Sequence, residues 1–86
     1  MNTTQLQFSR RLGPDPHANG RATIACNGCP DFWELENGDI AVIGIRITEA
    51  AKARLPATAG CGPDEEIVLV PRNLLLAAQA DIGRLR

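Results

Sequence analysis

Three features predict a small α+β domain built on a β-hairpin. A period-two apolar stretch turns at Asn37-Gly38, a β-branched run fills 66–70, and apolar residues recur at helical spacing from Pro71 to Ile82. The expected order is β-β-β-α-β-α: a small antiparallel sheet around a hairpin at about 32–47, a short helix at about 48–55, a strand at about 66–70 and a C-terminal helix at about 71–82 covering one face. Residues 1–21 read as a tail or loop with room for a short strand, and 22–86 as the domain.

Gln5 to Ser9 alternates polar and apolar residues, which suits a short half-buried strand or a flexible tail. Gly13-Pro14-Asp15-Pro16 and Asn19-Gly20 are strong breakers, so 10–21 is expected to be an exposed loop. Ala22 to Ala25 is the next candidate strand, leading into the knuckle Cys26-Asn27-Gly28-Cys29-Pro30.

The hairpin carries the clearest signal. Phe32-Trp33-Glu34-Leu35-Glu36 alternates large apolar and acidic residues, and Ile40 to Ile47 is β-branched. A two-residue type I′ turn at Asn37-Gly38 would set Leu35 opposite Ile40 and Trp33 opposite Val42. It would also set Glu36 against Asp39, a like-charge pair; a three-residue turn through Asp39 with a bulge relieves that pair, shifts the register by one and exchanges the faces. Both faces of the second strand are largely apolar, which predicts a central strand covered on each side.

Thr48 can cap the short helix, with Glu49 in its first turn, Lys52 and Arg54 in its last, and Pro56 ending it. At about two turns it holds only by packing Ala51 and Leu55 on the sheet. Ala57 to Glu65 is expected to be a loop. Pro71 suits the first position of the last helix and Gly83 its stop; Leu74, Leu75, Ala78 and Ile82 form its inward face. Leu76 and Ala80 fall on the polar side, where they read either as scattered surface apolar residues or as a contact with another chain.

Composition bounds the function. The hydrophobic 44% lies mostly in Ala, Ile, Leu and Val, with Phe8, Phe32 and Trp33 the only aromatics, so the core is expected to be small. A domain of 86 residues buries about 60–65% of its unfolded surface, and a metal, a disulfide or a partner chain would help it. The net charge of −1 gives no general pull toward nucleic acid or anionic membrane. No apolar run is long enough to span a membrane and no apolar signal region follows Met1, so a cytoplasmic location is expected by elimination. Three cysteines make an odd count, which fits a reducing compartment.

The cysteines leave alternatives open. Cys26 and Cys29 are spaced to share one Zn²⁺, with Cys61 as a third ligand and His17, Asp31 or Asp64 as the fourth. A redox pair is disfavoured because a strand rather than a helix follows the motif, an iron–sulfur cluster ranks below zinc, and inert cysteines are the plainest reading. Ser9 and His17 lie in segments too irregular for nucleophilic catalysis, and no phosphate-binding glycine loop is present. No enzyme is expected. Asp31, Glu34, Glu36 and Asp39 read as solvated hairpin charges.

The strand at 67–70 followed by Pro71-Arg72 and Leu74-Leu75 resembles, over about ten residues, the strand-Pro-basic element of swapped-hairpin DNA-binding domains, without their basic, glycine-rich pattern. The run from Cys29 to Gly44 (CPDFWELENGDIAVIG), with Gly60-Cys61-Gly62-Pro63 and Val70-Pro71-Arg72 downstream, resembles small actinomycete proteins of uncharacterised function. The likeness covers about Cys26 to Ile82. Such proteins tend to be encoded near helix-turn-helix regulators, which implies a regulatory or accessory role and assigns no site. Taken together, the expectation is a non-enzymatic interaction module that binds a protein partner or itself through Trp33, Leu35 and neighbouring apolar surface or through Leu76 and Ala80. A small zinc module and a DNA-binding regulator of the swapped-hairpin type are the alternatives.

Overall fold

The computed structural model describes residues 6–15 and 30–86. Among them lie strands β1 (Phe8–Leu12), β2 (Asp31–Leu35) and β3 (Ile40–Ile43), which form an antiparallel sheet in the order β1-β2-β3. Strand β4 (Ile45–Arg46) pairs antiparallel with β5 (Val68–Leu69) as a second, two-stranded sheet. Helices α1 (Thr48–Lys52), α2 (Arg72–Ala77) and α3 (Gln79–Gly83) complete the α+β arrangement. The expected strand at 22–25 lies outside the described residues.

The simple two-residue turn is not the one adopted. Phe32 is opposite Val42 and Trp33 opposite Ala41, one residue away from the type I′ register. Gly38 N–H donates to Leu35 O at 2.9 Å and Leu35 N–H to Asp39 O at 2.8 Å, so Glu36, Asn37 and Gly38 form a three-residue loop. Gly38 supplies the positive φ of 93° that such a bulged loop requires. Glu36 then leaves the ladder and the like-charge pair with Asp39 disappears. The bulge expected to involve Asp39 instead precedes it, and Asp39 N–H is held by Asn37 Oδ1 at 2.9 Å.

The register decides the faces. Phe32, Glu34, Ile40 and Val42 share one face; Asp31, Trp33, Leu35, Ala41 and Ile43 share the other. Strand β1 runs to Leu12 rather than ending at Ser9, because its arginines have partners on β2: Arg10 Nε lies 3.0 Å from Glu34 Oε1, and Arg11 is opposite Trp33. A register shift between Phe8 and Arg10 puts Phe8 and Arg11 on the Trp33 face, leaving Leu12 beside Phe32 on the other. The core is the packing of Leu12 and Phe32 against Ala78, with Val70, Leu74 and Leu85 around them. The C-terminal helical segment thus packs Leu74 and Ala78 of its expected inward stripe on one face of the sheet, over Leu12 and Phe32.

Two expectations about the second strand fail. It does not run unbroken to Ile47: the chain leaves β2 after Ile43, passes Gly44, and pairs with β5 from Ile45. Nor is β3 central. Among the described residues β2 is the middle strand and β3 an edge, with Ile40, Val42 and Ile43 exposed. An edge strand with two apolar faces gives the same sequence pattern as a buried central strand, which is why the pattern misleads.

Thr48 does not cap α1, whose N-cap is Ile47 without a side-chain hydrogen bond. Its hydroxyl accepts Ile67 N–H at 2.9 Å and donates to Glu66 Oε1, extending the tie that Ile47 N–H makes to Ile67 O. Thr48→Val is expected to lower unfolding free energy by about 1–2 kcal/mol by orphaning the Ile67 amide; a denaturation midpoint unchanged from wild type would contradict it. The helix is shorter than expected, ending at Lys52, with Ala51 and Leu55 half-buried. The predicted single helix over 71–82 divides at Ala78 (φ −88°, ψ −1°), whose N–H reaches both Leu74 O and Leu75 O. Beyond the break Asp81 Oδ2 accepts Gly13 N–H at 2.7 Å, so the end of β1 is tied to α3.

Candidate functional site

Among the described residues, two groupings of side chains bear most on function. The first is polar, on the Trp33 face. Asp31 is 5% exposed, and its carboxylate accepts Trp33 Nε1–H at 2.9 Å, Phe32 N–H at 3.1 Å and Arg11 Nε–H at 3.1 Å to both oxygens. The Arg11 guanidinium lies over the Trp33 ring, its Cζ 4.5 Å from the centroid, and also reaches Asp15. Phe8 meets the same ring edge-on, with centroids 5.6 Å apart. Sequence reasoning placed Asp31 among solvated hairpin charges. The overlooked signal is its position two residues before Trp33 on one strand, which sets both side chains on the same face. With both oxygens engaged, Asp31 fixes the indole and the guanidinium in place. This is a clamp that orients Trp33.

The second place is apolar. Leu12, Phe32, Ile40, Val42, Leu75, Ile82 and Leu85 line a groove of about 260 Å³ between the edge of the sheet and the C-terminal helices. Among the described residues every lining side chain is apolar, and the floor is the core itself, since Leu12 and Phe32 are buried. Leu75 is 48% exposed and Ile82 39%, although helical periodicity placed both on the inward face. The divided helix leaves that side of the groove open. Ile40, Val42, Leu75 and Ile82 are the surface residues that sequence reasoning missed: their apolar character was evident, but it was taken to mean burial.

Of the expected contact residues, Leu35 is buried at 7% exposure and has no surface to offer a partner. Trp33 is half-buried, engaged by Asp31, Arg11 and Phe8. Leu76 is 58% exposed and lies with Ala80 beside a shallow hollow that also includes Ala77, Gly83 and Arg84. The structure brings these last two expected residues together.

The proposed zinc ligands Cys26, Cys29 and His17 lie outside the described residues. Cys61 is described: its thiol is half-buried and 3.4 Å from Glu65 O, in a turn where Gly62 N–H donates to Glu65 Oε1 at 2.8 Å. Among the described residues no three His, Cys, Asp or Glu side chains come together as metal ligands, so Asp31 and Asp64 do not join Cys61 in such a group. The strand that resembled the swapped-hairpin element, β5, is two residues long and pairs with β4 of the same chain. No described helix is long and apolar enough to cross a membrane.

Compared with known protein families, curated proteins and solved structures, the chain matches none.

Proposed function

We propose that the protein is a non-enzymatic interaction module with a regulatory or accessory role, which works by holding another polypeptide against the groove beside β3. The observation that carries this reading is the groove's composition: among the described residues its lining is seven apolar side chains and no polar one, opening onto the core along an exposed sheet edge. Open apolar surface of this kind is costly to leave in water, and in soluble proteins such surfaces mark contact sites. At about 260 Å³ the groove is smaller than the roughly 300–1,000 Å³ of common small-molecule sites, which favours the side chains of a partner over a cofactor. The regulatory character is the role implied by the likeness to the actinomycete proteins.

The test is affinity capture from the source cell with the full chain and with Val42→Lys as baits, the variant first shown by circular dichroism to be folded. A polypeptide retained by the wild type and lost from the variant is the expected result. Equal recovery with both baits would refute the reading.

A further inference from the structure

We propose that the polypeptide occupying this groove is a second copy of the chain, paired edge to edge through β3 about a two-fold axis near Val42. The proposal rests on the interaction reading above and names the partner.

The edge is open in its backbone as well as its side chains. The Leu35 to Asp39 hydrogen bond sets the phase of the β2–β3 ladder, so Ala41 and Ile43 turn their main-chain groups toward β2 while Ile40 and Val42 turn theirs outward. Among the described residues no strand pairs with that outward side. The edge also lacks the usual protections: Ile40-Ala41-Val42-Ile43 holds no charge, no proline and no bulge.

Size and charge point to self-association. Ile40, Val42, Ile43, Ile45, Leu75 and Ile82 are between 39% and 60% exposed. Together they offer on the order of 500 Å² of apolar surface, close to the apolar share of the roughly 800 Å² that each partner buries in a standard interface. A two-fold contact must be self-complementary, and an uncharged strip satisfies that without help from a differently charged protein. The sheet becomes six-stranded and each groove is closed by the opposite copy.

Sedimentation velocity of the full chain over a concentration series tests this. The wild type is expected to dimerise with a Kd of about 10 µM or tighter, within the range that interfaces of this size span. Val42→Lys, which places two ammonium groups at the axis, is expected to weaken dimerisation by at least about 100-fold while remaining folded. Ile40→Lys, two residues from the axis on the same face and 44% exposed, should weaken the dimer in the same sense, a readout that stands even if the Val42 variant fails to fold. A dimer that survives Val42→Lys and is broken by Leu76→Lys would put the contact at the hollow on α2 and overturn the proposal. A wild type that stays monomeric throughout would also overturn it. Hydrogen exchange then separates the two ideas: fast exchange at the Ile40 and Val42 amides leaves the groove open for a different protein, while protected amides in a monomer remove the interaction reading as well.

Discussion

Replacing Gly44 with alanine is expected to lower unfolding free energy by about 2–3 kcal/mol, a large part of what a domain of this size has. The added methyl would lie 2.8 Å from Leu69 O, 3.0 Å from Val70 Cγ1 and 3.2 Å from the Val68 Cβ. The first of these is main chain in a strand held to β4, so relief requires β5 itself to move away. That would weaken the Ile45–Leu69 and Arg46–Val68 pairing and pull Val70 from its place against the Leu12, Phe32 and Ala78 cluster. The damage at one methyl therefore reaches both sheets. At this chain length the loss corresponds to a fall in melting temperature of roughly 10–20 °C. A melt within a degree or two of wild type would mean that β5 is not held against Gly44.

Asp31→Ala is expected to cost about 2–4 kcal/mol, because it leaves three donors without their acceptor. Trp33 Nε1–H and Arg11 Nε–H lose the carboxylate that accepts them, and among the described residues Arg11, at 28% side-chain exposure, keeps Asp15 as its counter-charge. Indole fluorescence reports the change directly, since the ring is held by Asp31, covered by Arg11 and flanked by Phe8. Pairing Asp31→Leu with Arg11→Met removes the acceptor together with its charged donor, so that the Trp33 and Phe32 N–H groups lose their partner but no guanidinium is stranded, and should cost less than Asp31→Ala alone. If the double replacement proves the more damaging, the cluster contributes attraction beyond the satisfaction of buried groups.

The α+β class, the hairpin, the strand near 68 and the C-terminal helical cover were legible because each rests on local pattern. The hairpin loop shows where that legibility ends. Asn37-Gly38 announces a turn, but the choice between a two-residue and a three-residue loop was made by moving Glu36 out of the ladder, and that choice assigns every side chain to a face. Gly44 was likewise silent, since a glycine inside a β-branched run does not reveal that another strand's carbonyl will approach it. The candidate groove was the least readable part. Its residues are the same Ile, Val and Leu that build cores, and hydrophobicity alone does not distinguish a strand enclosed within a subunit from one at its rim. The exposure of Leu76 and Ala80 was legible because they interrupt a polar face, a contrast that β3 does not offer.

The hydrogen bond between Gly13 and Asp81 spans 68 positions of sequence, and Ala78 fills the core beside Leu12 and Phe32. Strands β1 to β3 are therefore translated well before the segment that shields them. A nascent chain must carry its half-finished sheet, greasy side bare, until α3 leaves the ribosome. Premature termination before Ala78 should consequently yield a chaperone client rather than a smaller stable domain.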